Sequence, residues 1–413
     1  MTETNWAGNL TYAASALRTP RTVDELAAIV AAEPHVRGLG SRHSFNRIAD
    51  TTGVQVSVAG LPALVEVDDS AREVTVSAGL RYGELVEELD RAGWALHNLA
   101  SLPHISVAGA IATGTHGSGD HNGSLASSVA GLELVTADGS LLTVRRGDPD
   151  FDGMVVSLGC LGIVTKVTLD IVPTFDVRQD VYEGVSWESI ADHLDAITSS
   201  AYSVSMFTDW GDAGAGQAWL KSRADVTPPA TFFGATPASR ELHPLPDESA
   251  EFTTSQLGAP GVWWDRLPHF RLGFTPSNGQ ELQSEYLVPR FDAAAAIDAV
   301  RSLAPVIRPH LFVSELRTIA ADSLWLSPSH GVDCLAIHFT WRMHVPEVTA
   351  LLPALDDALA PFAARPHWGK VFQSDRERLG AAYPRIDEFR SLADRLDPTG
   401  TFANEQTSEW LGR

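Results

Sequence analysis

The sequence predicts an α+β protein with more than one domain, and three observations support this fold class. The chain has 413 residues, which at roughly 150 residues per domain allows two or three domains. Helix and strand signals alternate from the N-terminus to Pro173. After Pro173 the pattern changes to strand-like segments between Pro- and Gly-rich loops, with frequent tryptophans. We therefore expect a domain boundary near Pro173.

Local patterns justify the individual elements. Thr22 is the predicted N-cap of a first helix, because Glu25 follows three residues later as in a capping box. Residues 82–92 predict a second helix with one apolar face. Two apolar runs within residues 129–144 flank an Asp-Gly turn and predict a β-hairpin. Residues 386–396 predict a helix near the C-terminus, which on local pattern alone fits either domain.

Composition and charge exclude several classes of protein. With 44% hydrophobic and 20% charged residues the chain is neither disordered nor a coiled coil. The net charge of −22 repels phosphate backbones, so we expect no nucleic-acid partner. The only cysteines, Cys160 and Cys334, allow at most one bridge and suit a reducing compartment. The N-terminal residues do not resemble a signal peptide and no apolar run is long enough to span a membrane. We expect a cytoplasmic protein that does not bind membranes.

A glycine-rich segment, residues 38–46, follows a predicted strand. Its sequence Gly-Leu-Gly-Ser-Arg-His-Ser-Phe-Asn directs successive backbone N–H groups toward one place, as in an anion cradle. On local pattern alone, an ordinary glycine-rich turn explains it equally well. It matches neither the Gly-Lys-Ser/Thr phosphate loop nor a GxGxxG turn that opens a helix.

A second segment combines small polar residues with an apolar run. Residues 101–109 and 113–119 contain Gly, Ser, Thr and His around Ile105, Val107 and Ile111. An exposed apolar strip of this length is costly, so we expect it to be buried against a ligand or the core. A third glycine-containing segment, residues 159–165, indicates tight packing before a strand.

Two predicted strands carry polar residues at period two. In residues 313–319, Glu315 and Arg317 share a face. In residues 334–341, His338 and Thr340 share a face with two small side chains, while large apolar residues occupy the other. On pattern alone, a structural ion pair and a solvent-facing His/Thr pair explain these residues better than a site does.

Taken together, these segments resemble the flavin-binding domain of the vanillyl-alcohol-oxidase/PCMH (VAO/PCMH) superfamily, and within it the alditol oxidases. The matching phrases lie from near the N-terminus to residue 370, at residues 5–9, 40–46, 100–109, 114–119 and 365–370. The resemblance implies a PCMH-type FAD-binding domain over residues 1–173 and a substrate-binding domain over 174–365, with a large antiparallel sheet and flanking helices. It also implies that residues 366–413 return to the FAD domain.

The same resemblance implies FAD attached covalently through His43, whose neutral imidazole is a good nucleophile. Many relatives carry glycine where this chain has Arg42, which adds a cation near the pyrophosphate or points to solvent. The residues that the resemblance implies for FAD binding are Gly38, Leu39, Gly40, Ser41, Arg42, His43, Ser44, Ser101, Ser106, Gly109, Thr113, Gly114, Thr115, His116, Gly117, Ile163 and His367.

On the substrate side the resemblance implies oxidation of the C1 primary hydroxyl of alditols such as xylitol and sorbitol. A hydride passes to flavin N5, and O2 reoxidises the flavin to give hydrogen peroxide. Arg317 and Lys370 are expected to stabilise a developing alkoxide, with Glu315 orienting Arg317. His338 is the one matching residue whose reference pKa suits a general base. The substrate-binding residues implied are Ser101, Glu315, Arg317, His338, Thr340 and Lys370.

Two alternatives remain open at this stage. A sugar-1,4-lactone oxidase or dehydrogenase, of the gulono- or galactonolactone type, shares the flavin-binding sequence motifs. A non-catalytic flavin- or carbohydrate-binding protein belongs to another class, but buried ions in an idle site would be costly to desolvate. No HxH or HExxH spacing indicates a metal. We expect a monomer that acts on a small polyol and O2.

Overall fold

Helices and strands alternate through residues 3–229, 231–245, 248–273 and 280–413, the part of the chain that this computed structural model describes. The strands there are β1 (Ala16–Arg18), β2 (Val36–Gly38), β3 (Val54–Val56), β4 (Val65–Asp68), β5 (Glu73–Ser77), β6 (Trp94–Ala95), β7 (Val129–Val135), β8 (Leu141–Arg145), β9 (Ile163–Asp170), β10 (Val172–Pro173), β11 (Asp176–Val185), β12 (Ser203–Thr208), β13 (Ala215–Arg223), β14 (Thr236–Pro237), β15 (Gly261–Val262), β16 (Glu281–Pro289), β17 (Leu311–Ile319), β18 (Cys334–Arg342) and β19 (Arg365–Pro366). The helices there are α1 (Val23–Ala32), α2 (Tyr82–Arg91), α3 (Val107–Ala112), α4 (Phe151–Val155), α5 (Trp187–Thr198), α6 (Ala293–Ser302), α7 (Ala304–Ile307), α8 (Val345–Leu359), α9 (Arg376–Ala382), α10 (Ile386–Leu396) and α11 (Glu405–Leu411).

The described N-terminal part of the chain contains three small sheets. One is antiparallel, in the order β4-β5-β9-β7-β8, another is parallel, in the order β1-β3-β2, and the third is the antiparallel pair β6-β10. The Thr22 side chain caps α1 as predicted, by accepting a hydrogen bond from the Glu25 backbone N–H. The Glu25 carboxylate turns to the Arg21 backbone N–H instead of completing the capping box. The predicted hairpin is β7-β8, and α10 has the predicted bounds.

The second part is built on one large antiparallel sheet, as expected. Its strand order is β14-β11-β13-β12-β17-β18-β16-β19, with β15 also paired to β11. The alternation predicted for β18 is confirmed: Leu335, Ile337, Phe339 and Trp341 are buried in one apolar core beneath α6 and α8. The opposite face of the strand is therefore free to carry polar side chains toward the N-terminal part.

The main apolar cores follow these two parts of the molecule. One core combines side chains of α2, α3 and β9 with those of α9 and α10 near the C-terminus. Val107, Ala110 and Ile111 lie in this core, so the prediction that the apolar run after residue 101 is buried is confirmed. The other large core lies between the big sheet and helices α5, α6 and α8. The domain limits 1–173, 174–365 and 366–413 remain a prediction.

Both cysteines are buried free thiols, so Cys160 and Cys334 form no bridge. Within the described ranges, none of the helices combines the length and the apolar character needed to cross a membrane.

Candidate active site

Four neighbouring strands bring one side chain each into a row across the large sheet. Phe207 on β12 pairs with Glu315 on β17, which pairs with His338 on β18, which pairs with Glu285 on β16. Because paired residues in a sheet point to the same face, all four side chains line one cavity. Arg317 and Thr340 lie two residues further along their strands and line the same cavity, as predicted.

Glu285 is the centre of this cluster. Its carboxylate is almost fully buried, and it accepts a hydrogen bond of 2.9 Å from Arg317 Nη2 and one of 2.5 Å from Lys370 Nζ. His116 Nε2 lies 3.4 Å away. Burial opposes ionisation, but the charges of Lys370 and Arg317 outweigh it and hold the pKa of Glu285 well below its usual range.

Glu315 is the second buried carboxylate. One of its oxygens lies 2.9 Å from His269 Nε2, and the other lies 3.6 Å from Arg317 Nη1. Burial raises the pKa of Glu315, but the charge of Arg317 and the contact with His269 together lower it by more. The pKa of Glu315 therefore lies well below its usual range. Arg317 Nη1 also donates to Ser101 Oγ at 3.2 Å, which joins the sheet to the segment of residues 101–109, called the flavin-side loop below. The guanidinium therefore bridges two carboxylates and a hydroxyl.

Lys370 fixes the protonation of His338. Its Nζ lies 2.8 Å from His338 Nδ1, and His338 Nε2 lies 3.1 Å from Thr340 Oγ1. Burial lowers the pKa of His338 to about 4 and also lowers that of Lys370. Because an ammonium group only donates hydrogen bonds, Nδ1 accepts and Nε2 carries the hydrogen. The ring thus presents an N–H to Thr340.

Charges in the cluster balance. Glu285 and Glu315 carry two negative charges, and Arg317 and Lys370 carry two positive charges. Such a set stays ionised when buried because each carboxylate faces a cation. The donor atoms of His116, Glu285 and His367 also lie within 4.8 Å of one another, a grouping that can bind a metal ion. A dication there would be placed against Arg317 and Lys370, so the electrostatics oppose it.

A cavity of about 640 Å³ runs from this cluster to the glycine-rich segment. Ser41 and Ser106 tie the two flavin-side segments together, since each backbone N–H donates to the other's hydroxyl. A Cβ at Gly40 would lie 2.5 Å from Ser106 Oγ, so the loop can approach this closely only as glycine. The backbones of these two segments therefore pack closely against each other, and the cavity lies beside them.

His43 lies on the wall of this cavity, and its buried Nδ1 has no hydrogen-bond partner among the residues that the structure describes. Its ring stacks on Trp6 at a centroid distance of 5.1 Å. Burial lowers the pKa of His43 to about 4, so the imidazole is neutral near pH 7. A neutral, oriented ring with a free nitrogen suits attachment to a cofactor. The cavity and this orphaned atom fit FAD.

Most of the residues predicted to bind FAD line the cavity or the smaller one that continues from it past Ile163. Gly114 and Gly117 do not line either cavity. A Cβ at Gly114 would lie 2.9 Å from Pro328, and one at Gly117 would lie 2.4 Å from the Leu99 carbonyl, so close packing explains both. Arg42 adopts φ +67° and pairs with Glu3. The guanidinium of Arg42 is thus held by an ion pair with the N-terminal segment.

Two site residues were missed from the sequence. Glu285 lies on β16, where Glu281, Gln283 and Glu285 alternate with Leu282, Ser284 and Tyr286, so its period-two pattern was available as a signal. His269 lies in an irregular segment that offers no such pattern.

Comparison with known proteins places this site in a family. Residues 14–145 match a model described as an FAD binding domain, and residues 277–413 match one described as D-arabinono-1,4-lactone oxidase. An alditol oxidase of a Streptomyces species is 49% identical over 404 residues, covering 97% of each chain. An L-gulono-1,4-lactone dehydrogenase of Mycobacterium tuberculosis is 30% identical over 440 residues, covering 99% of this chain and 98% of that protein.

A cholesterol oxidase from Brevibacterium sterolicum superimposes with a TM-score of 0.79 at 14% identity, covering 99% of this chain and 96% of the other. At that identity the likeness concerns the fold alone. Fold and cradle define a flavoprotein of the VAO/PCMH type. The identity over nearly the whole chain is more specific, and the chain belongs to the alditol oxidase family of that superfamily.

Proposed function

We propose that the protein uses FAD and O2 to oxidise the C1 primary hydroxyl of alditols such as xylitol and sorbitol to the aldose, releasing hydrogen peroxide. The observation that carries the proposal is the buried, charge-balanced set of Glu315, Arg317, Lys370 and Glu285 facing the FAD cavity. The 49% identity to an alditol oxidase supports the same substrate class.

FAD, when bound, would supply the oxidising chemistry, namely acceptance of the hydrogen and electron pair of the C1–H bond and later delivery of the electrons to O2. We propose that the residues implied for FAD, including Gly38–Ser44, Ser106, Thr113, Thr115 and His116, hold it, with His43 as the covalent attachment. The free Nδ1 of a neutral ring supports that role. The closely packed loop supports the cradle.

Arg317 and Lys370 are proposed to stabilise negative charge on the substrate oxygen. Both cations are buried, and a cation in a site from which water is excluded lowers the energy of a nearby alkoxide much more than it would in water. The hydroxyl proton is therefore lost more readily. Because both cations are already held by carboxylates, they need little reorganisation when the charge develops.

Glu315, Ser101, Thr340 and His338 are proposed to bind the hydroxyl groups along the polyol. Glu315 accepts hydrogen bonds, while the Thr340 hydroxyl, which accepts from His338, is free to donate its own hydrogen. The contacts of His338 favour a donor role over that of general base. Its one unprotonated ring nitrogen, Nδ1, already accepts a hydrogen bond from Lys370. A polyol hydroxyl that is absent leaves one of these groups unpaired, so deoxy analogues should be poor substrates.

A second candidate is oxidation of sugar-1,4-lactones. It is supported by the match of residues 277–413 to a lactone oxidase model and by the 30% identity to a lactone dehydrogenase. A lactone lacks the primary C1 hydroxyl, so substrate choice separates the two candidates.

The test is hydrogen peroxide release in air by the purified flavoprotein, with xylitol, sorbitol and L-gulono-1,4-lactone in parallel. We expect release with the alditols that is lost in K370M, which removes the ammonium at similar length. K166M, at a partly exposed lysine on β9 that pairs with Glu133 and lines neither cavity, serves as the matched control. Release with the lactone alone would favour the second candidate. Release with none of them would leave a flavin- or carbohydrate-binding protein.

The two buried free thiols support a reducing, cytoplasmic location, and we propose a monomer. Gel filtration and fractionation test these two points.

A further inference from the structure

A buried lysine lies behind the candidate active site and has no part in the chemistry described so far. The chain has lysine at only three positions, 166, 221 and 370, among its 30 basic residues. Lys370 belongs to the cluster, and Lys221 on β13 is 1% exposed. Lysine differs from arginine in being a compact ammonium with three donors at one point. At position 221 the structure uses all three.

Lys221 Nζ has three acceptors around it. The carbonyl oxygens of Leu267 and Pro268 lie at 2.6 and 2.7 Å, and His269 Nδ1 lies at 3.2 Å. The Pro268 carbonyl also accepts from Thr254 Oγ1. Burial lowers the pKa of Lys221 well below its usual range, while Glu315 raises it and Arg266 lowers it further.

His269 connects this ammonium to Glu315. Its Nε2 lies 2.9 Å from Glu315 Oε1, and its ring packs edge-on between Phe207 and Trp219. Its backbone N–H donates to the Ser101 carbonyl, so the ring is anchored to the flavin-side loop as well. Burial lowers its pKa to about 4; Glu315 opposes that shift, and Lys221 and Arg317 reinforce it.

The protonation of this chain of groups follows by elimination. His269 is neutral, so only one of its nitrogens carries hydrogen. Nε2 faces a carboxylate, which only accepts, so the hydrogen is on Nε2 and Nδ1 is an acceptor. Lys221 must then donate to Nδ1 as well as to two carbonyls, which requires the three hydrogens of an ammonium.

We propose that Lys221 and His269 are positioning residues that fix the orientation of the Glu315 carboxylate in the active site. The inference rests on the proposed alditol oxidation, in which Glu315 receives the substrate. The Lys221 ammonium locks the His269 tautomer, and the His269 Nε2–H holds Oε1. Oε2 is thereby left on the side of Arg317 and the cavity, ready to accept a substrate hydroxyl. Without the lock, the ring can turn an unprotonated nitrogen toward the carboxylate and repel it.

Two amide substitutions separate this role from a merely structural one. In H269Q the amide nitrogen reaches the place of Nε2, so a donor to Glu315 is kept. In H269N the amide reaches only the place of Nδ1, so an acceptor for Lys221 is kept and the contact with Glu315 is lost. Both variants are assayed as holoenzymes, with flavin content and melting temperature measured alongside kcat and KM for xylitol.

We expect H269Q to keep kcat/KM within about fivefold of the wild type, while H269N loses about 10- to 100-fold, the range of a hydrogen bond to a charged group. The loss should appear mainly in KM, because Glu315 binds substrate hydroxyls. K221M should resemble H269N. The opposite ranking, with H269N more active than H269Q, would mean that the ring only satisfies Lys221, and would overturn the proposal.

A second readout does not depend on turnover. In holoenzyme labelled with 15N-histidine, the signal that is absent from H269Q should show His269 protonated at Nε2 and not at Nδ1. In K221M only Glu315 still selects this tautomer, so a population protonated at Nδ1 should become detectable. If the wild type releases no hydrogen peroxide with xylitol, the proposed function fails, and this spectrum still decides whether the ammonium locks the ring. Protonation at Nδ1 in the wild type would refute the proposed hydrogen-bond order of Lys221, His269 and Glu315 whatever the substrate is.

Discussion

Arg317 donates to Glu285 at 2.9 Å on one side and lies 3.6 Å from Glu315 on the other. Glu285 also holds Lys370. The two cations proposed to act on the substrate are therefore positioned by a carboxylate from a strand that sequence reasoning had not connected with them. Their positive charges lie close together only because Glu285 is between them.

Replacing Glu285 with glutamine should damage both stability and activity. E285Q keeps the shape but leaves Arg317 and Lys370 buried without their shared counter-charge. Breaking a buried pair in this way typically costs about 3 kcal/mol. We expect a clear fall in the denaturation midpoint and a loss of kcat/KM for xylitol of at least about 100-fold. E66Q, at an exposed glutamate on β4, is the control. A stable, active E285Q would show that the cations need no such partner.

Replacing His43 with alanine should abolish covalent attachment of the flavin. His43 has a free Nδ1 on the cavity wall, and burial keeps its ring neutral. We expect the yellow colour of H43A, but not of the wild type, to separate from the polypeptide after denaturation in acid or detergent. Within the described part of the chain, His104 Nδ1 is likewise buried without a hydrogen-bond partner, which makes H104A the matched control. Flavin that stays attached in H43A and is released in H104A would place the link at His104.

The left-handed backbone at Arg42 predicts a difference between two small substitutions. Both R42A and R42G remove the pairing with Glu3, so that loss cancels between them. Alanine at φ +67° keeps the strain of a Cβ in this region, roughly 1–2 kcal/mol, whereas glycine avoids it at a smaller cost in chain entropy. We expect R42G to be more stable than R42A by about 0.5–1 kcal/mol in chemical denaturation. Equal stability would mean that the loop relaxes at this position.

Much of the site was accessible from local pattern. Period two placed Glu315 and Arg317 on one face of β17, and His338 and Thr340 on one face of β18, and all four line the cavity. The resemblance supplied Lys370 and Ser101, which lie in segments without a regular period. Each of these predictions needed only the geometry of a single strand or a single sequence motif of the family.

The remainder depended on which strands are neighbours. Glu285 pairs with His338 because β16 lies beside β18, in a sheet that shares an apolar core with α6 and α8. No local pattern encodes that order. His269 reaches Glu315 from an irregular segment, and its partner Lys221 is on a strand that does not touch β17. Such contacts require the tertiary structure.

The buried histidines predict how stability depends on pH. The pKa values of His269 and His338 are lowered to about 4 by burial, whereas the unfolded chain titrates near the reference value of 6.5. Between these values the unfolded state binds more protons than the folded state, so the free energy of unfolding falls as pH falls from about 6.5 toward 4. Each ring should contribute a loss of about 2 kcal/mol between pH 7 and pH 5.

H269Q removes one of these titrating rings while keeping a donor to Glu315. We therefore expect its free energy of unfolding, measured by urea denaturation of the holoenzyme, to fall by about 2 kcal/mol less than that of the wild type between pH 7 and pH 5. The same substitution at the exposed His121 controls for the loss of a histidine in itself. The carboxyl groups whose pKa burial raises, Glu281, Asp322 and Asp356, are common to both proteins, so their titration cancels in the comparison. An H269Q slope identical to that of the wild type would mean that His269 is already charged in the folded protein, and the hydrogen-bond order inferred for Lys221, His269 and Glu315 would then be wrong.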